Sequence, residues 1–179
     1  MASQDVLMAG FGGQGLMAIG KILAKAAMEE GKNVTWMPSY GPEMRGGTAN
    51  CVVIIDEDPI GSPVVKQTQA AIVMNKQSID KFESMVVDHG LLVVNSSLID
   101  RPAARDDLKV VYVAANEIAE KEGSAKAANM VMLGAYLGVT GVTSPESLEH
   151  AIEVTFAGKR GDVGAVNVRA FRKGLELVK

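Results

Sequence analysis

One cysteine, Cys51, and two histidines, His89 and His150, are all the soft metal ligands among 179 residues. That excludes an intramolecular disulfide, leaves too few donors for a typical zinc site and cannot hold a four-cysteine iron-sulfur cluster. The expected setting is a reducing cytoplasm, and any electron carrier must sit on another polypeptide or be a diffusible or bound cofactor. Aromatics are scarce too, at 4%, so the interior is expected to be aliphatic, with the ten methionines mostly filling irregular gaps in it. There is no basic excess: a formal net charge of -3 and a pI near 5.4 argue against a nucleic-acid surface. No apolar run approaches a membrane span, and MASQDV has no basic stretch before the first hydrophobic segment, so neither a membrane anchor nor a secretory signal is expected. What is abundant is hydrophobic content, 47% beside 22% charge, enough for a sizeable core in a single domain over residues 1–179.

Val6 to Ala9 is a short apolar run stopped by glycine, and Leu16, Ile19, Gly20, Leu23 and Ala27 then recur at helical spacing up to Gly31. This reads as strand, turn, helix. Asn33 to Met37 and Ala49 to Ile55 read as strands flanking a Pro/Gly loop, and DEDPIGSP as a turn-dense connection. Ala70 to Met74 and Leu91 to Val94 have the continuous apolar character of buried parallel strands, with a helix from Lys76 to Met85 between them. Leu108 to Ala114 repeats the strand pattern before helices at about Glu117–Glu122 and Lys126–Leu137. Ser144 and Pro145 supply an N-cap and first helical residue for a helix to about Phe156. After the polar loop AGKRGDVGAVN a last helix is expected at about Val168–Val178. The alternation implies an α/β fold with a mostly parallel or mixed sheet, helices on both faces and a Rossmann-like first strand-turn-helix. Asn75, Asn95 and Asn116 fall at or just beyond strand ends, where such sheets bind ligands, although asparagine is also a common turn residue.

Gly10, Gly12 and Gly15 satisfy G-x-G-x-x-G between a strand and a helix, a context in which backbone N–H groups cradle anions. The dinucleotide version wants an acid about 20 residues on. Here the second strand ends Val34, Thr35, Trp36, Met37, without one. Gly15, Gly20 and Lys21 imitate part of a P-loop, but Ile22 stands where a metal-ligating Ser or Thr is needed and the intervening residues carry a helical pattern. Tight strand-to-helix packing without a ligand explains the glycines equally well.

The other dense feature is WMPSYGPEMRGGTANC, Trp36 to Cys51. Tyr40, Gly41 and Pro42 stiffen it, and Glu43 and Arg45 are either a solvated ion pair or charges presented to a substrate, cofactor or partner. No nucleophile or acid-base constellation stands out.

GFGGQG at Gly10–Gly15, PSYGPEMRGGTANC at Pro38–Cys51, IGSP at Ile60–Pro63 and a C-terminal segment with Asn167, Ala170, Phe171 and Gly174 together resemble the gamma subunit of 2-oxoacid:ferredoxin oxidoreductases. Within that family the chain looks most like the small gamma chains of enzymes for 2-oxoglutarate or branched-chain 2-oxoacids. The resemblance implies oxidative decarboxylation of a 2-oxoacid to an acyl-CoA with reduction of ferredoxin. It also implies thiamine diphosphate, Mg²⁺ and iron-sulfur clusters held by alpha and beta partner subunits, with room for a ferredoxin-like delta subunit. On this expectation the chain has no turnover alone and shapes the active-site or coenzyme A entrance. Gly10, Gly12, Gly13, Gln14 and Gly15 would offer backbone and amide donors, and Tyr40, Gly41, Pro42, Glu43, Arg45 and Gly46 a rigid charged loop with Arg45 as the electrostatic contact. Lys159 and Arg160 are a weaker phosphate candidate than a solvated face. Two alternatives stay open: an independent Rossmann-type dinucleotide oxidoreductase, and a purely structural scaffold subunit. Self-association of the isolated chain is open as well.

Overall fold

Leu7 and Ala9 of the first strand are buried on one side and Val6 and Met8 on the other, so β1 (Gln4–Phe11) is covered on both faces and belongs at the centre of a sheet. The computed structural model, which describes residues 3–40 and 47–178, places it there. The remaining strands are β2 (Asn33–Tyr40), β3 (Thr48–Asp56), β4 (Thr68–Val73), β5 (Val86–Asn95) and β6 (Lys109–Val113). The six-stranded sheet has the order β2-β3-β1-β4-β5-β6.

The sheet is mixed, one of the two arrangements expected, with most of its strands parallel. β1, β4, β5 and β6 are mutually parallel, whereas β3 runs antiparallel to both β1 and β2. The connection from Tyr40 to Thr48 is too short for a crossover and dictates an antiparallel pair. β3, not β2, therefore occupies the place beside β1. A dinucleotide-binding unit needs its second strand parallel and adjacent to the first, so the Rossmann likeness ends with the first strand-turn-helix.

Among the described residues six helices cover the sheet unevenly: α1 (Leu16–Glu29), α2 (Lys76–Phe82), α3 (Ala115–Lys121), α4 (Ala128–Thr140), α5 (Pro145–Phe156) and α6 (Val163–Glu176). The larger core joins α1, α4, α5 and α6 to Val6, Met8, Cys51, Val53, Ile72 and Val93. The smaller, under α2 and the segment after β5, is built on Leu7, Ala71, Val73, Leu92 and Val94. α4 is buried at every position from Ala128 to Leu137 because it lies between the sheet and α6. A Cβ on Gly134 would run into the Phe171 carbonyl oxygen, and one on Gly174 into that of Val131. These glycines let the two helix backbones touch.

Several helix boundaries differ from expectation by a few residues; α4, for example, runs on to Thr140. α2 ends at Phe82 and continues as a 3₁₀ turn over Glu83–Met85. α6 begins at Val163, about five residues before the expected start, because only Gly158 and Gly161, both with positive φ, break the chain; Gly164 lies inside the helix. Ser144 caps α5 as expected, its hydroxyl accepting from Ser147 N at 3.1 Å.

Candidate functional site

The carboxyl ends of β1, β4, β5 and β6 share one edge of the sheet, as parallel strands must. The facing ends of β2 and β3 lie there too, because Phe11 pairs with Thr48 and Tyr40 with Ala49. Both sequence features singled out above thus meet at one edge. Gly12 N donates to Gly47 O at 3.0 Å and ties them together. Gly41, Pro42, Glu43, Arg45, Gly46 and the side chain of Tyr40 lie outside the described residues.

The glycine turn is built around the side chain of Gln14. Its Oε1 accepts from Phe11 N at 2.7 Å and from Asn75 Nδ2 at 3.2 Å. Gly10 makes room for this: a Cβ there would lie 2.5 Å from Gln14 Oε1 and 2.8 Å from Leu16 Cδ2. With its oxygen so engaged, the Gln14 amide nitrogen has no hydrogen-bond partner among the described residues. Gly13 and Gly15 have φ of +99° and +78°, in the region where a side chain is strained. Gly15 is the N-cap of α1, and no side chain caps that end, leaving its first N–H groups available.

Asn129, at the start of α4, donates its Nδ2 to Gly15 O at 3.1 Å across 114 residues of sequence. A Cβ on Gly15 would collide with that amide. Neither this contact nor the Gln14–Asn75 bond has a local sequence signal. Asn75 caps α2, its Oδ1 accepting from Ser78 N at 2.9 Å. Asn95 donates to Asn116 Oδ1 at 2.9 Å and to Met74 O at 3.4 Å. The three asparagines are therefore ties along the strand ends. Ser97 extends the row: its hydroxyl accepts from Asn116 N at 3.0 Å and donates to the Glu117 carboxylate, holding that group below the usual carboxylate range.

The P-loop imitation dissolves, since Gly15 to Lys21 is the start of a helix and the Lys21 ammonium lies 4.8 Å from the centre of the Trp36 ring. Cys51 is fully buried under α1, and burial pushes its thiol up to about 12. It is neutral at physiological pH and is neither a nucleophile nor a thiolate ligand. Beside the turn, between α1, α4, α5 and α6, a cavity of about 620 Å³ reaches from Gly13 and Gly15 to Lys126 and Lys159. Lys159 is exposed, as expected of a solvated face, and also borders this cavity.

The family model described as pyruvate ferredoxin/flavodoxin oxidoreductase matches residues 5–177. The chain belongs to that family. Over 176 residues it is 42% identical to ketoisovalerate oxidoreductase subunit VorA of Methanothermobacter thermautotrophicus, covering 97% of this chain and 36% of the relative. The chain thus spans about a third of the length of that relative. It is 32% identical over 179 residues to 2-oxoglutarate synthase subunit KorC of Methanocaldococcus jannaschii, covering 98% of this chain and 94% of the relative. Among solved structures, the gamma subunit of a keto/oxoacid ferredoxin oxidoreductase from Geobacter sulfurreducens superposes with a TM-score of 0.86 at 30% identity, covering 98% and 96% of the two chains. The glycine turn and the β2–β3 connection are therefore two joined features of a member of the pyruvate ferredoxin/flavodoxin oxidoreductase family.

Proposed function

We propose that this chain is the gamma component of a 2-oxoacid:ferredoxin oxidoreductase and folds as one gamma-type domain over residues 1–179. The assembly oxidatively decarboxylates 2-oxoglutarate or a branched-chain 2-oxoacid: the bond from the carboxylate to the carbonyl carbon breaks, carbon dioxide leaves, coenzyme A takes the acyl group and two electrons pass to ferredoxin. The observation that carries this reading is the end-to-end similarity to a subunit of the chain's own size, KorC, together with the gamma-subunit structure. The relatives' names supply the two substrate classes.

The chain's own donors do not fit an iron-sulfur cluster, because its one cysteine is buried and held as a neutral thiol. Thiamine diphosphate, Mg²⁺ and the clusters are assigned to alpha, beta and delta partners. The task left to this chain is shaping the entrance for anionic coenzyme A or 2-oxoacid. Contrary to expectation the Gly12 N–H is taken by Gly47 O and the Gln14 backbone N–H by Phe11 O, so the donors left at the sheet edge are the Gly13 N–H and the Gln14 side-chain amide, and Arg45, oriented by Glu43, would add a cation from the adjoining connection. No helix among the described residues is long and apolar enough to cross a membrane, in keeping with the cytoplasmic location that belongs to this proposal.

Affinity purification of the tagged chain from its native extract tests the reading. The expected result is co-purification of thiamine-binding and iron-sulfur subunits, with coenzyme A-dependent ferredoxin reduction on 2-oxoglutarate or 2-oxoisovalerate. In that complex Arg45→Ala raises KM for coenzyme A or the 2-oxoacid. A chain that never joins a larger assembly, or that oxidises a 2-oxoacid alone, overturns it.

A further inference from the structure

We propose that the free edge of β2, with the apolar groove that α1 forms beside it, takes up an extended strand of another polypeptide that turns apolar and acidic side chains towards α1. Among the described residues the sheet ends at β2. Alternate residues of an edge strand point their backbone N–H and C=O groups away from the sheet, and such a row is a template for one more strand. β2 offers eight residues of it, against five in β6 at the other edge. Its proline, Pro38, lies near the carboxyl end, so the run from Asn33 to Met37 keeps every donor.

The side-chain surface next to this edge is apolar and open. Lys21, Ala24, Lys25, Met28 and Glu29 of α1 and Trp36 of β2 line a groove of about 480 Å³. Met28 is 63% exposed, and Trp36 and Val34 are only partly buried against the core. Large apolar side chains left together in water beside an unpaired strand mark an interaction surface.

Charge selects the occupant. The Lys21 ammonium lies over the Trp36 ring, and neither Lys21 nor Lys25 has an ion-pair partner among the described residues. Glu29 is the one acid lining the groove, so two cations stand against a single carboxylate. A second copy of this chain fits poorly. Pairing β2 with β2 about a two-fold axis sets the two α1 helices side by side on one face of the joined sheet. Because Lys21 lies over Trp36, in the middle of β2, the Lys21 and Lys25 side chains of both copies would then crowd around the axis, where like charges repel. A strand carrying carboxylates meets these lysines with the opposite sign, and its apolar side chains cover Met28 and Trp36. That the strand belongs to a subunit of the same assembly rests on the function proposed above, whereas the choice of an acidic, apolar strand does not.

Trp36 is the chain's one tryptophan, so its fluorescence reports this groove without a label. Titrating the full chain with the acetylated peptide TETLTETLT should shift that emission saturably, with an affinity that falls as salt rises. The basic counterpart TKTLTKTLT should bind at least about tenfold more weakly. Methylating two neighbouring backbone nitrogens of the acidic peptide blocks both of its edges and should abolish the shift. The double variant Lys21→Glu, Lys25→Glu should reverse the order of the two peptides; neither side chain is buried, so its melting temperature should stay near that of the wild type. An equal response to the acidic and basic peptides, an undiminished response to the methylated one, or no saturable shift at millimolar peptide overturns the proposal. Sedimentation of the free chain as a dimer whose formation shifts the Trp36 emission would put a second copy on this edge and overturns it too. Failure to co-purify with partner subunits would sink the function proposed above and leave the peptide result standing.

Discussion

Gly10, Gly13 and Gly15 are glycine for three different reasons. Gly10 leaves space for the carbonyl end of Gln14, Gly13 takes a left-handed φ in open surroundings, and Gly15 takes a left-handed φ against the Asn129 amide. The positions should therefore respond differently to the same substitution. Gly15→Ala combines dihedral strain with a collision and should cost about 2–4 kcal/mol. Gly13→Ala meets no atom and should cost only the strain, about 1 kcal/mol. Urea unfolding of the two variants checks this ordering; equal midpoints would mean that the Asn129 contact does not constrain the turn.

Between elements, the tightest fit is that of α4 on α6, where backbone meets backbone at Gly134 and Gly174. A methyl group at either position cannot be accommodated by rotating a side chain, because the obstructing atoms are carbonyl oxygens. Gly174→Ala should destabilise by about 3 kcal/mol or more, read as a fall in thermal midpoint.

A second joint, between α1 and α5, is electrostatic. Glu30 Oε1 accepts from Ser144 N at 2.7 Å and its Oε2 from Lys32 Nζ at 2.9 Å. Burial works to raise the Glu30 carboxyl, but these bonds and the Ser144 and Ser147 hydroxyls outweigh it and bring the group down to about 2. The folded value lies below the ordinary one near 4.5. The stabilisation is therefore complete above about pH 4.5 and fades as the pH falls towards 2. Glu30→Gln should cost about 1–2 kcal/mol at pH 7 after discounting for solvent at this surface site, and much less near pH 2. Denaturant melts at the two pH values measure the difference; an equal loss at both would show that the charge plays no part.

At the scale of the whole molecule, much was legible beforehand. Continuous apolar runs marked β4 and β5, helical spacing marked α1, and Ser144 with Pro145 marked the start of α5, because each of those signals is local to its segment. Composition limited the chemistry, since one cysteine cannot hold a cluster. Residue order also implied that Gly10–Gly15 and Pro38–Cys51 matter together, though not where they meet. The early start of α6 was hidden because Gly164 looks like loop punctuation, yet one glycine costs a helix only about 1 kcal/mol.

The sequence by itself determined which segments become strands and helices, though not all of their ends, that the interior is aliphatic, and that one cysteine cannot hold a four-cysteine cluster. Tertiary structure alone decided that β3 lies beside β1, that Gln14 is locked by Asn75 and Gly15 by Asn129, and that Lys126 and Lys159 face one cavity. The reason is physical: hydrophobic periodicity reports that a face will be buried without naming what buries it. A hydrogen bond between residues 114 positions apart comes into being only when packing brings its two ends together.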